Sequence, residues 1–309
     1  MNRGLGVYII KRQSVIIFIN LITGYLTRDH FIKNSIFAHM NKCAKSCSTG
    51  TVFLARAVSF KDHFSRQAKA YSAGRPTYSP GLFSYLAGLC KNHNTAWDCA
   101  TGSGQAAVLL ADHFKKVVAS DASGGQIENA SREKANIEYA VFTAEQTPLA
   151  DQSIDLITVA QALHWFDHAA FFSEVRRVLR PDGIFAAFSY KLHQVSAEVD
   201  KIVFNFYENI VGPYWPPERK LVETSYSTIK FPFEKIDSPP FNMQLQWSSR
   251  QMLNYMQSWS SVQRYIDEHG QNPIEQLEPE ILACWPEDEV RQVTWPFVLV
   301  AGRAEDFTL

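Results

Sequence analysis

Between Ala96 and Asp121 the chain reads as strand, turn, helix and strand in quick succession, and this segment constrains the fold more than any other. Ala96-Trp97-Asp98-Cys99 is a short strand ending in an acid. Ala100-Thr101-Gly102-Ser103-Gly104 is a run of small residues, Gln105–Phe114 has helix-forming composition, and Lys116–Asp121 is a second strand that also ends in an acid. Glycines between a strand and a helix let a ligand approach the backbone with no Cβ in the way, and the start of the helix presents free N–H groups. An acid closing the next strand stands where it accepts hydrogen bonds from ribose hydroxyls. The segment is therefore read as one nucleoside-binding unit of an α/β sheet.

The spacing narrows the ligand. A dinucleotide fingerprint needs a further glycine where this chain has Ala107, and the loop opens with Asp98, which suits a cationic ligand better than a pyrophosphate. A nicotinamide oxidoreductase is disfavoured on both counts. With Asp98-x-Ala100-x-Gly102-x-Gly104 in hand, the chain resembles the class I S-adenosylmethionine-dependent methyltransferases, whose first motif is acid-x-Gly-x-Gly-x-Gly. It departs by Ala100 at the first glycine, a substitution small enough to keep the turn. Further segments carry the resemblance in the family's order. Ala144-Glu145 before Pro148-Leu149 is similar to the adenine clamp, Asp151-x-Ser153-Ile154-Asp155 to the fourth motif, and Arg180-Pro181-Asp182-Gly183 to the turn into strand five.

The resemblance covers residues 59–304. It implies an α/β fold of the doubly wound, Rossmann-like kind, with a seven-stranded, mostly parallel sheet whose last strand is antiparallel. The cofactor it implies is S-adenosyl-L-methionine. Carried over residue by residue, the cofactor-binding set is Tyr71, Arg75, Asp98, Ala100, Gly102, Gly104, Asp121, Ala122, Ala144, Glu145 and Gln161, with no metal. Tyr71 and the Arg75-Pro76 pair follow a helical stretch, His63–Tyr71, that Asp62 can cap. Together with the helix opened by Pro80 they resemble the helical N-terminal cover of small-acid methyltransferases such as the trans-aconitate group. There the arginine meets the methionine end of the cofactor or an acidic acceptor through charge-assisted bonds. The alternative is a solvated turn arginine beside a packed tyrosine.

Gln161-Ala-Leu-His164-Trp165-Phe166-Asp167 lies just past the fourth strand, where open α/β sheets bind ligands. His164 and Trp165 are the catalytic candidates. The histidine orients an acceptor oxygen or serves as a base, and the indole offers a π face to a sulfonium; the bland alternative is that both cap the strand and pack. Residues 195–241, with Tyr207 and Tyr214-Trp215-Pro216-Pro217, break the αβ rhythm and read as a lid insert. Trp259 is placed on the acceptor site, and Arg264 either pairs with a substrate carboxylate or is solvated. The run from Glu289 to Ala301 suits the antiparallel last strand.

Charge is distributed unevenly along the 309 residues. Residues 1–58 carry eight Lys/Arg against the single acid Asp29, which leaves a mildly acidic remainder of twenty-two basic and thirty acidic residues. No basic stripe with interleaved aromatics survives there, so no nucleic-acid partner is expected. Five cysteines argue against a disulfide framework, and Cys43 and Cys47 lack the histidines of a metal site. The apolar run Ser14–Ile22 is too short to span a bilayer, so no stable membrane association is expected. Residues 1–58 read as a basic extension: a mitochondrial-type presequence, a secretory h-region, or translated sequence ahead of the true start, the last being the leading reading. Residues 305–309 form a short tail. The expected compartment is the cytoplasm, or the mitochondrion if the extension is a presequence.

Methyl transfer to a carboxylate needs no general base, and no Lys/Asp base pair stands out among the pocket residues. O-methylation of a small, acidic acceptor is therefore the leading expectation. Methylation of carbon or oxygen on another small metabolite, and a non-catalytic S-adenosylmethionine-binding module, are the alternatives. Oligomeric state is not legible.

Overall fold

The computed structural model describes residues 7–12, 15–20 and 77–304, and the chain divides into two units, residues 1–61 and 62–309. In the first unit β1 (Val7–Arg12) and β2 (Val15–Asn20) pair antiparallel, with Val7 opposite Asn20 and Arg12 opposite Val15. The apolar stretch of the basic extension is thus a strand over these residues. Its richness in valine and isoleucine suits a pleated ladder.

The second unit is built on one sheet. Its strands are β3 (Thr95–Cys99), β4 (Lys116–Asp121), β5 (Ile137–Val141), β6 (Ile154–Ala160), β7 (Leu179–Tyr190), β8 (Glu234–Ile236), β9 (Asn242–Ser248) and β10 (Val290–Arg303). They lie in the order β5-β4-β3-β6-β7-β10-β8, with β9 paired on β10. The five from β3 to β7 are parallel, and β10 runs antiparallel to β7, β8 and β9. The expected seven-strand path is present, and β9 adds an eighth strand. It does so because β10 belongs to two ladders: Val290–Pro296 pairs with β9 and Phe297–Arg303 with β7. Pro296, which has no N–H to donate, sits at the changeover.

Parallel strands are covered on both faces and read as continuous apolar runs. β6 follows that rule, with Ile154 to Val159 all buried. Helix α1 (Pro80–Leu89), with proline at its first turn, covers one face through Leu82, Phe83 and Leu86, which pack with Leu110 of α2 (Gln105–Leu110) and Phe188 of β7. The short α3 (Gly124–Glu128) follows β4. On the other face Phe171, Phe172 and Val175 of α4 (His168–Val178) pack on Trp97 and Phe185. Burying each such side chain stabilises the fold by about 1.5–3 kcal/mol. The chain steps outward through β3, β4 and β5, then returns to the other side of β3 with β6, so the strand order reverses between β3 and β6. A crevice opens at that point beyond the carboxyl ends of the strands.

A third core lies under β9 and β10, where Met252, Tyr255, Trp259, Trp285 and Trp295 are buried. It is formed with α5 (Ala197–Asn205), α7 (Ser249–Gln257), α8 (Ser260–His269) and α9 (Ile274–Cys284). The insert at 195–241 is largely helical. α5 continues into a π-helical turn (Phe206–Ile210), a 3-10 turn (Gly212–Tyr214) and α6 (Arg219–Glu223), and the insert ends by giving β8 to the sheet edge.

Two local expectations are corrected, and one helix is added. The helix expected to reach Phe114 ends at Leu110. The turn Arg180–Gly183 lies within β7, where the register jumps from Ile154 opposite Leu179 to Leu156 opposite Ile184 and Asp182 takes a φ of +61°. Helix α9 is not anticipated by the sequence pattern. Among the described residues no helix is long and apolar enough to cross a membrane.

Candidate active site

The loop between β3 and α2 is a small left-handed cradle. Ala100, Gly102 and Gly104 have φ of +56°, +56° and +85°, a region that costs an L-residue roughly 1–2 kcal/mol and a glycine almost nothing. Ala100 keeps the turn at that cost. A Cβ on Gly104 would lie 2.5 Å from the Tyr139 hydroxyl oxygen, so no larger residue fits without displacing the ring. The loop is tied down from β4. The Thr101 N–H donates to the Ser120 carbonyl (2.8 Å), and the Asp121 carboxylate accepts from the N–H groups of Gly102 (3.0 Å) and Ser123 (2.8 Å).

Asp98 is fully buried behind this cradle. Its carboxylate accepts from the hydroxyls of Thr101 and Thr158, the latter at 2.9 Å. Burial pushes it up from the ordinary 3.8 to about 6, and the like charge of Asp121 adds to the rise against the hydrogen bonds that lower it. Its carboxylate makes no contact with solvent. Ala122 follows directly on Asp121. Ala144 is buried after β5, and Glu145 accepts from the Asp167 N–H (3.2 Å), tying the clamp segment to the β6–α4 connection. Asp167 in turn caps α4 through Ala169 and Ala170. Tyr71 and Arg75, with the helix His63–Tyr71, lie outside the described residues.

β6 leaves the sheet through Gln161, a non-glycine residue with φ of +59° whose N–H donates to the Phe188 carbonyl (2.9 Å). Such strain collects at ligand sites. The Gln161 side-chain nitrogen is buried with no protein partner. Within the 3-10 turn that follows, Leu163–Trp165, His164 is 8% exposed, with its Nδ1 unpartnered and its ring 4.8 Å from that of Trp165. Burial, then the positive charge of Arg219, lowers its pKa from 6.5 to about 3. His164 is therefore neutral at physiological pH and a weak base.

Gln161, His164 and Trp165 line one side of a cleft of about 720 Å³, counting its open mouth. Tyr207, Trp215 and Arg219 of the insert line another, and Tyr255 and Trp259 a third. The Arg219 Nε donates to the Tyr207 hydroxyl (3.2 Å), which donates to Glu223 (2.7 Å), and the guanidinium lies 4.9 Å over the Trp215 ring. Among the described residues Arg219 enters no ion pair, and its two terminal nitrogens make no hydrogen bond. Lys191 is exposed at the cleft, also without an ion pair among those residues.

The structure thus brings Asp98, Ala100, Gly102, Gly104 and Asp121 together at the cradle, and His164, Trp165, Gln161 and Trp259 at the cleft. Two residues singled out in the sequence stand elsewhere. Arg264 donates to the Tyr214 carbonyl (3.3 Å), anchoring the insert to α8, and does not line the cleft. Asp155 of the fourth motif secures the opposite ends of the strands by accepting from the N–H groups of Asn94 and Thr95. Arg219, Lys191 and Tyr255 went unnoticed; the one available signal was a basic residue just after the aromatic Tyr214-Trp215 pair.

A cationic nucleoside cofactor fits these residues: a cradle that a Cβ would fill, carboxylates at the ends of consecutive strands, and a buried amide without a protein partner at the mouth of β6. The family model for a methyltransferase domain matches residues 97–187. A candidate methyltransferase of Dictyostelium discoideum is 34% identical over 80% of this chain and 96% of its own length. An uncharacterised methyltransferase of Mycobacterium tuberculosis is 35% identical over 39% of this chain and 49% of its own. Among solved structures, a candidate type II methyltransferase of Anaeromyxobacter dehalogenans superimposes with a TM-score of 0.70 at 39% identity, covering 74% of this chain and 97% of that one. With motif order, sheet order and cradle all in place, the chain belongs to the methyltransferase domain family and is an S-adenosylmethionine-dependent enzyme.

Proposed function

We propose that the enzyme methylates an oxygen of a small carboxylic acid. One observation carries the reading: Arg219, whose terminal nitrogens make no hydrogen bond among the described residues, lines the same cleft as His164, which is held neutral and weakly basic. A planar fork with two free nitrogens matches a carboxylate bidentately, and stacking on Trp215 fixes it in place. A phenol or amine acceptor must lose a proton, and a histidine with a pKa of about 3 accepts one poorly. When bound, the cofactor supplies an electrophilic methyl carbon: the new C–O bond forms as the C–S bond breaks, the electron pair stays on sulfur, and a carboxylate has no proton to give up.

The residues of the chain then bind and orient. Gly102, Gly104 and Asp121 hold the nucleoside half, Asp98 contributes negative field, and Gln161 and His164 fix the acceptor oxygen beside Trp165. Holding both reactants aligned in a water-poor cleft supplies roughly 7–11 kcal/mol of the barrier reduction. The resemblance of Tyr71 and Arg75 to the small-acid methyltransferases supports the same acceptor class.

The test is product analysis with a panel of carboxylic acids, alcohols and amines, followed by Arg219→Gln. The expected outcome is a methyl ester, cleaved by mild alkali, with acceptor KM raised at least about tenfold in Arg219→Gln and cofactor affinity unchanged. Turnover confined to amines or neutral alcohols would overturn the reading.

A further inference from the structure

The walls of the cleft say more about the acceptor than its carboxylate. Four of the rings that line it form one wall: Tyr207 from the π-helical turn, Trp215 further along the insert, Tyr255 from α7, and Trp259 at the start of α8. Their centroids stand 5.2 Å apart for Tyr207–Trp215, 5.7 Å for Trp215–Trp259, 5.8 Å for Tyr207–Trp259 and 6.0 Å for Tyr255–Trp259. They meet tilted or edge-on, at 40°, 45°, 85° and 89°, and no pair stacks face to face. The Trp215 Nε1 is buried without a protein partner, as is the side-chain nitrogen of Gln161. Two N–H donors, with the His164 Nδ1 beside them, are thus left unmatched among aromatic surfaces.

That combination discriminates between acids. An aliphatic polyacid would carry several carboxylates into ring-lined space, and every one left without a cation bears a large desolvation cost. The described residues lining the cleft include just two cationic side chains, Arg219 and the exposed Lys191. A flat ring loses little by burial and packs edge-on or offset against fixed aromatic neighbours, each such pair adding about 0.5–1.5 kcal/mol beyond area.

We propose that the acceptor is an aryl carboxylic acid, with its carboxylate at Arg219 and its ring among Tyr207, Trp215, Tyr255 and Trp259. The inference rests on the carboxylate reading above and adds the body that the carboxylate brings with it.

The full chain, saturated with S-adenosylhomocysteine, is titrated calorimetrically with 3-phenylpropanoate, 3-phenylpropanamide and propane-1,2,3-tricarboxylate. The acid is expected to bind at least about tenfold more tightly than either of the others, and Trp215→Leu to weaken it by about tenfold or more while S-adenosylhomocysteine binds as before. Saturation-transfer NMR on the wild-type protein reads the same contact without a substitution, the ring protons receiving more magnetisation than the methylenes. Tighter binding of the tricarboxylate overturns the aryl body and leaves the carboxylate reading standing. Equal binding of acid and amide, unaffected by Arg219→Gln, overturns the proposal from the other side, since the ring is then recognised and the charge is not. Undetectable binding of 3-phenylpropanoate overturns it as well.

Discussion

Asp98→Asn tests the most costly feature of the cofactor site. Asp98 is fully buried and its pKa rises from 3.8 to about 6, so the folded protein resists ionising it. A rise of that size costs the ionised, folded protein about 3 kcal/mol. Linkage sets the sign. The folded state holds this proton more tightly than the unfolded chain, so no stability is lost below pH 3.8, the loss grows as pH rises through 6, and the full cost is present at neutral pH. Asparagine has the same shape. Its oxygen still accepts from Thr158, and its amide donates to the Thr101 hydroxyl, which rotates to accept. The variant is expected to be more stable by about 2–3 kcal/mol at pH 7.5, which for a domain of this size raises Tm by roughly 5–10 °C.

Urea unfolding of wild type and variant at pH 7.5 and pH 4 isolates the charge, because every other titration is common to both. The gain should shrink to below about 1 kcal/mol at pH 4, where folded wild type carries a neutral Asp98 too. A gap that does not change with pH, or an asparagine variant less stable at pH 7.5, refutes the reasoning. The same variant shows why an expensive acid is kept. Removing a negative charge behind the cradle should weaken cationic S-adenosylmethionine by about tenfold and leave neutral S-adenosylhomocysteine nearly unchanged, as calorimetry with both would report.

Ala100→Gly should stabilise the protein by about 0.5–1 kcal/mol in urea unfolding, because relief of left-handed strain exceeds the added entropy of the unfolded chain. Gly104→Ala should cost at least about 2 kcal/mol and weaken cofactor binding, and Tyr139→Phe in the same chain should recover part of both by removing the oxygen 2.5 Å from the new Cβ. His164 and His193 are each held down to about 3 by burial, the latter among Tyr255, Trp259 and Trp295. Their folded values lie below the unfolded one, so the stability each contributes is full above pH 6.5 and falls beneath it by about 1 kcal/mol per pH unit; Asp98 opposes this loss by a similar amount between pH 6 and 5, so His193→Phe should cancel most of the net fall across that interval.

Much of the cofactor half was legible because its chemistry is written in contiguous residues. An acid, two glycines and a second acid specify strand ends and a cradle, and β4 runs over Lys116–Asp121 as read from the sequence. The acceptor half was legible only in fragments. His164 and Trp165 could be placed beyond β6 because a strand end has a fixed direction, whereas Arg219 acquires its role from Tyr207 twelve residues before it and from Trp215 stacked beneath it. No spacing rule marks such a group. The pairing of one strand with two partners was likewise hidden, since β10 reads as a single run and only Pro296 hints at the change of ladder.

These two halves differ in how freely they can vary, and that difference explains the division of labour in the fold. The cradle sits where β3 and β4 are locked in register and Tyr139 closes against Gly104, so a change of one methyl group there is felt at once. The cleft wall is assembled by the insert and by the helices under β9 and β10; those helices pack in a core of their own, while Val222 and Tyr226 of the insert pack in the core that also holds Phe171 and Phe185. The described segment from Gln161 to Asp167 joins the two, since Glu145 holds Asp167 while Gln161, His164 and Trp165 line the cleft. Exchanging Trp215 or Arg219 should therefore alter which acceptor binds without moving the cradle, while a change at Gln161, strained at φ +59° and hydrogen-bonded to Phe188, should disturb both binding events together. Calorimetric titration of Gln161→Ala with S-adenosylhomocysteine decides the point: a loss of about tenfold fits a shared hinge, and an unchanged affinity assigns Gln161 to the acceptor alone.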